Sequence, residues 1–167
     1  MIFLDSWVFI EYFSSNENKN SASLIENFTD TRAISSVVIA EVKYRISKKF
    51  DNIKASEAID VINSLQNLRI LPVTKEIAEF AAELRIKYYN KERQISYIDA
   101  INLATAIKVG CDAFYTGDPD FDGIDEIEII NIRKPETNSI NKEKKESGTF
   151  LPKDFELDKT RTDEKED

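Results

Sequence analysis

The chain has 167 residues but no histidine, one cysteine, one tryptophan, and only four glycines and four prolines. Without histidine there is no Ser-His-Asp triad, no imidazole acid or base, and no imidazole metal ligand. The lone Cys111 cannot form an intramolecular disulfide, nor can it build a zinc site of the usual Cys/His kind. A reduced compartment is the matching expectation. No apolar run approaches the roughly 18–20 residues that span a bilayer. No signal peptide is visible, because acidic Asp5 and Glu11 follow closely on the first residues. The sequence thus predicts a cytoplasmic protein without a membrane partner. Its chemistry must run on carboxylates, hydroxyls, lysine, arginine and hard cations.

Charge is what the chain does have. Thirty-one acidic residues against 23 basic ones leave a net charge of −8, and 41% of the residues are hydrophobic. These values fit one folded domain with a proper core. The acidic balance speaks against a broad basic footprint for nucleic acid, but bound cations can offset it locally.

The patterning alternates strands and helices for about 130 residues. Met1-Ile2-Phe3-Leu4-Asp5 reads as a buried strand, with Ser6 as cap of a helix over about 7–14. Asn20 or Ser21 caps a second helix through Phe28, and Ala33–Ser35 is a second strand. Ser36 caps a long helix with Val37, Ile39, Ala40, Val42, Tyr44 and Ile46 spaced for burial. Asp51 opens a helix carrying Ile53, Ala58, Ile59, Ile62 and Leu65. Arg69–Val73 is a strand ended by Pro72. Thr74 caps a helix with Ile77, Phe80, Ala81, Leu84 and Tyr88. Ser96 caps another to about Val109, which Gly110 stops. Ala113–Thr116 and Ile127–Ile130 complete the strands. The expected fold is α/β, with three layers (α/β/α) around a central, mostly parallel sheet of about five strands. Residues 1–133 form this domain. Residues 134–167 carry 8 basic and 10 acidic side chains and few apolar ones beyond the cluster Phe150-Leu151-Pro152, Phe155 and Leu157. They read as a disordered tail with one adhesive segment.

Four carboxylates stand at telling places. Asp5 ends the first strand, Glu41 lies in Val37-Val38-Ile39-Ala40-Glu41-Val42, Asp99 begins the helix Tyr97–Ala104, and Asp118 follows Ala113–Thr116. Each has an ordinary explanation. Asp5 could cap a helix, Glu41 could pair with Arg45, Asp99 suits a helix start, and Asp118 suits a turn. In open parallel sheets, however, ligands bind beyond the strands' carboxyl ends, where Asp5 and Asp118 both lie. Four like charges cannot partner one another, so together they suggest a divalent cation with oxygen ligands. Such a site can polarise a phosphodiester and activate water for in-line attack without histidine.

These segments resemble the PIN-domain nucleases, and within them the VapC-type toxins, over about residues 1–131. The resemblance rests on Ile2-Phe3-Leu4-Asp5-Ser6, Ser36–Val42, Tyr115-Thr116-Gly117-Asp118-Pro119-Asp120-Phe121 and, most specifically, Ser96–Ala106. It implies that Asp5, Glu41, Asp99 and Asp118 hold Mg²⁺ or Mn²⁺, that Ser6 and Thr116 orient a ligand, and that Asp120 plays a supporting part. It also implies an endoribonuclease acting on RNA, a homodimer, and an antitoxin partner whose segment enters the acidic cleft. Arg45 and Arg93 are the first candidates for RNA contact, followed by Lys43, Lys48 and Lys49. Trp7 departs from the family pattern, in which many members carry Asn two places after the first Asp. The indole would pack beside the cleft or stack on a base. Two other readings use the same residues: a housekeeping RNA-processing nuclease and a catalytically silent binding module.

Overall fold

The computed structural model describes residues 1–14, 19–91 and 93–133. Five strands form a parallel sheet in the order β3-β2-β1-β4-β5: β1 Ile2–Leu4, β2 Arg32–Ser35, β3 Leu68–Leu71, β4 Ala113–Thr116 and β5 Glu128–Asn131. The chain runs outward from β1 through β2 to β3. It then crosses back to place β4 on the other side of β1. The reversal opens a crevice at the carboxyl ends of β1 and β4, the usual ligand position in such sheets.

The side chains of β1 explain the layers. Alternate residues of a strand point to opposite faces. Ile2 and Leu4 join one apolar cluster with α1 (Ser6–Ser14), α3 (Ser36–Lys49) and α4 (Asn52–Ser64). Phe3 points the other way, into a cluster with α5 (Lys75–Tyr88) and α6 (Tyr97–Lys108). There Phe3 stacks on Phe114 at 5.2 Å between ring centroids, and Phe114 meets Phe121 at 4.7 Å. The α/β/α sandwich expected from the alternation is the observed one, and its sheet is parallel throughout.

Local signals set most boundaries. Asp51 accepts from the Lys54 backbone N–H, Thr74 from Ile77 and Ser96 from Asp99, as N-caps do. Gly110, at φ +71°, turns the chain after α6 at little cost because it has no Cβ. Three expectations differ. Residues 19–28 form a short helix, α2 (Lys19–Ala22), and a π-helical turn, Ser23–Asn27. The carbonyls of Leu24 and Ile25 in that turn accept from the buried Arg32 guanidinium, which also donates to Gln66. A charge buried so deeply needs those acceptors, and satisfying it draws the turn out of regular α geometry. Helix α3 begins at Ser36, with Ser35 before it as cap residue, yet Ser35 makes no capping bond because its hydroxyl is used elsewhere. Along α3 and α4 the buried stripes are Val38, Val42 and Ile46, and Ala55, Ala58 and Ile62, whereas Tyr44 and Ile53 face solvent.

The segment 134–167, with its Phe150–Leu157 cluster, lies outside the described residues. Among the described residues no helix is long and apolar enough to cross a membrane.

Candidate metal and nuclease site

Asp5 is the centre of the crevice. It follows β1 directly, and its backbone N–H donates to the Tyr115 carbonyl of β4 at 3.0 Å. That bond extends the β1–β4 ladder by one residue and fixes the carboxylate beneath the strand ends. The side chain is 2% exposed. It does not cap α1. Its Oδ2 accepts from the Thr116 hydroxyl at 2.8 Å, and its Oδ1 accepts from the Asn102 amide at 3.3 Å. Both donors are neutral, so the buried carboxylate has hydrogen bonds without a counter-charge.

Each donor is itself fixed. Thr116 accepts from the Asp118 backbone N–H at 3.0 Å, which leaves its own proton for Asp5. Asn102 accepts from the Ser35 hydroxyl at 2.5 Å, which turns its amide hydrogens toward Asp5. Ser35, Asn102 and Thr116 are all fully buried. The chain Ser35–Asn102–Asp5–Thr116 therefore ties β2, α6, β1 and β4 together at their site ends. Such buried polar chains specify geometry because each unmade bond would be costly.

The other carboxylates come from three directions. Glu41 projects from the second turn of α3 and is largely buried. Its Oε2 is buried without a hydrogen-bond partner among the described residues, and its Oε1 is 4.0 Å from Arg45 Nε. That separation, with Arg45 mostly in solvent, makes a weak ion pair. Asp99 closes a reciprocal capping box with Ser96: its Oδ2 accepts from the Ser96 N–H at 2.8 Å, while Ser96 Oγ accepts from the Asp99 N–H at 3.2 Å. Asp118 accepts from the Asp120 N–H at 2.9 Å and starts the 3-10 turn Pro119–Phe121.

Electrostatics shows that the carboxylates face one another. Burial, then repulsion from Asp99 and Glu41, pushes the Asp5 carboxyl up to about 7, although the bond from Thr116 pulls the other way. Glu41 is raised by burial and by Asp99 and Asp118, against the Ser6 hydroxyl and Arg45. Asp99 is raised by burial and by Asp118 and Asp120, against its bonds to Ser96. The sequence-derived set Asp5, Ser6, Glu41, Asp99, Thr116, Asp118 and Asp120 thus gathers in one crevice. Two further residues belong to it, Asn102 and Ser35. Asn102 lies one turn beyond Asp99 in an otherwise apolar helix, a signal that was open to reading. Of the two arginine candidates, Arg45 stands one turn from Glu41. Arg93 donates to the Asp122 carbonyl and lies 5.3 Å from the Tyr88 ring.

The donor set fits a hard divalent cation: every group is an oxygen, the charges have no counter-ion beyond the weak Arg45 contact to Glu41, and one Glu41 oxygen is buried unpartnered. Among the described residues no three acidic side chains stand close enough to share an ion as arranged. Chemistry and spacing disagree here, and the chemistry weighs more. Mutual repulsion among the carboxylates, which raises Asp5, Glu41 and Asp99, acts to keep them apart when no cation is bound.

The sequence matches the PIN domain family over residues 2–127. The chain belongs to that family. Among solved structures, this PIN domain resembles VapC20 of Mycobacterium tuberculosis, a toxin that cleaves the sarcin-ricin loop. Identity there is 23% and the TM-score 0.64, over 77% of this chain and 99% of that one. It also resembles VapBC2 of Rickettsia felis, bound to a DNA fragment from its promoter, at 24% identity and TM-score 0.61 over 78% and 98%. A third likeness is FitAcB of Neisseria gonorrhoeae, at 20% identity and TM-score 0.63 over 80% and 99%. At these identities the likeness establishes a shared fold. A search of curated protein sequences gave no significant match.

Proposed function

We propose that this PIN domain is a Mg²⁺- or Mn²⁺-dependent endoribonuclease and the toxin of a type II toxin–antitoxin pair. The observation that carries the reading is the Asp5 carboxylate, buried and held by the neutral donors Asn102 and Thr116, with three more carboxylates around it. A fold does not retain such a centre for stability, because an uncompensated buried charge is destabilising. It suits a cation.

Asp5, Glu41, Asp99 and Asp118 would hold that cation. When bound, it would polarise a phosphodiester and lower the energy needed to activate water for in-line attack. Thr116 favours the charged form of Asp5, and Asn102 and Thr116 together fix its orientation. Ser6 favours the charged form of Glu41. The capping box holds Asp99 at the start of α6, and Asp120 holds Asp118 through its backbone N–H. RNA as substrate and an antitoxin partner are supported by the fold shared with the sarcin-ricin-loop-cleaving toxin VapC20 and with a toxin-antitoxin complex from Klebsiella pneumoniae. In this reading the protein acts as a homodimer in the cytoplasm. An antitoxin arginine reaching the carboxylates would be physically sensible.

The test is cleavage of a mixed single-stranded RNA pool with Mg²⁺ or Mn²⁺, using EDTA and Asp99→Asn as controls. Metal-dependent cleavage that the variant loses supports the proposal. Cleavage that survives EDTA, or that Asp99→Asn performs equally well, overturns it.

A further inference from the structure

Arg133 stands where β5 leaves the sheet. Asn131 pairs in register with Thr116, and the Ile132 N–H donates to the Thr116 carbonyl at 2.9 Å. Arg133 therefore emerges beside Gly117, between the two site residues Thr116 and Asp118. The Asn131 side chain accepts from the Arg133 backbone N–H at 3.1 Å and fixes this exit. The guanidinium lies 4.8 Å from the centroid of the Trp7 ring. Trp7 in turn rests on Gly117 so closely that a Cβ at that position would collide with the indole. Gly117, Trp7 and Arg133 form a ladder along the rim of the crevice.

We propose that Arg133 is a binding residue for a backbone phosphate of single-stranded RNA, held in position by Trp7, which the bare backbone of Gly117 seats. This rests on the nuclease reading above. Arg133 is exposed, and among the described residues no carboxylate forms an ion pair with it. Of the other two candidate arginines, Arg45 has a weak 4.0 Å contact to Glu41 and Arg93 donates to the Asp122 carbonyl. Four carboxylates repel an approaching phosphodiester, so a fixed cation at the rim serves capture. Contact over the indole restrains the guanidinium while its N–H donors remain available for phosphate oxygens. Little side-chain freedom remains to be lost when phosphate binds. The same packing settles the role of Trp7. Its ring is taken up by Gly117 and Arg133, so it acts as a support beside the cleft and not as an open platform for a base.

The experiment is binding of a fluorescently labelled single-stranded oligouridine to the full chain in EDTA, where cleavage is silent, across a series of salt concentrations. Wild type is compared with Arg133→Gln, Arg133→Lys, Trp7→Ala and, as a control, Arg69→Gln. Arg69 is exposed and reaches Met1, before β1, at the opposite end of the sheet. Loss of one charge-assisted phosphate contact should weaken binding about tenfold. It should also reduce the slope of log K against log salt by about 0.7. Arg133→Lys should recover the slope and only part of the affinity, Trp7→Ala should lose affinity, and Arg69→Gln should match wild type. Thermal melting confirms that each variant folds. If Arg133→Gln binds with wild-type affinity and slope, the inference is wrong, even where wild type cleaves RNA and the nuclease reading stands. If wild type neither binds nor cleaves RNA, both fall together.

Discussion

Removing divalent cations should make this protein most stable in mild acid. The cause is Asp5. In the folded state its carboxyl is held up at about 7, against an ordinary value of 3.8, first by burial and then by Asp99 and Glu41. Between those values the folded protein takes up a proton that the unfolded chain does not, so stability falls as pH rises through the window. The stabilisation is fully present below about pH 4 and gone above about pH 7. The gap from 3.8 to about 7 corresponds to about 4 kcal/mol as a ceiling, because Asp5 shares its field with two coupled neighbours. Between pH 5 and pH 8 only the part of that gap from about 5 to about 7 is crossed, about 3 kcal/mol at most, which for a domain of this size is a melting temperature up to about 10 °C higher at pH 5 than at pH 8. Glu41 and Asp99 are raised as well and add in the same direction. Asp125, held down to about 2 by Tyr88 and Lys87, acts in the opposite sense but only below the window.

The assay is thermal unfolding in EDTA at half-unit steps from pH 5 to 8, repeated with Mg²⁺. The cation should raise the melting temperature at pH 8 and have little effect at pH 5, where protons occupy the site. Asp5→Asn should flatten the EDTA profile. Its amide can be accommodated by turning Asn102 over, since the Ser35 hydroxyl can accept as well as donate. Maximal stability at pH 8 in EDTA, or an unchanged slope in Asp5→Asn, would refute the assignment of an uncompensated buried carboxylate.

Three further outcomes follow from the packing. Asn102→Ala strands the Ser35 hydroxyl and one Asp5 oxygen, and should cost about 2–4 kcal/mol in denaturant unfolding and reduce RNA cleavage. Phe114→Ala removes a fully buried ring that touches both Phe3 and Phe121, and should cost about 3–5 kcal/mol by the same measurement. Gly117→Ala should expel the indole, red-shifting the emission of the chain's single tryptophan and costing about 1–3 kcal/mol through overpacking.

What the sequence made legible was local. The caps Asp51, Thr74 and Ser96 could be read because each acts within three residues of itself, and strand Ala113–Thr116 because its apolar run ends in turn residues. Features that depend on distant partners were not legible. Ser35 and Ser36 look alike in sequence, and only the position of Asn102, 67 residues away, decides that the Ser35 hydroxyl leaves its cap position. The regular helix expected across Ser23–Phe28 gave way to a π turn because Arg32 needs the Leu24 and Ile25 carbonyls. Tyr44 and Ile53 carried an apolar signal, yet their helices turn them outward. The part played by Trp7 depends on Gly117 and Arg133, more than 100 residues further along the chain.

The ordinary explanations for the four carboxylates turn out not to compete with the functional one. Asp99 does close a capping box, Asp118 does start a turn, and Glu41 does lean toward Arg45. Each of the first two commits one oxygen to a backbone N–H and keeps a second oxygen on the same rigid carboxylate. The local bond thereby orients the group and gives up only part of its capacity to accept. Asp5 goes further, with both oxygens held by side chains whose own donors and acceptors are committed in turn. In the proposed cation site the fold bears part of the cost of gathering negative charge, because Asp5, Asp99 and Asp118 are each anchored by hydrogen bonds within the domain. It also explains why acidic residues that look unremarkable one at a time become informative as a set. Any one of them can be satisfied locally, but nothing local accounts for their converging on the switch point between β1 and β4.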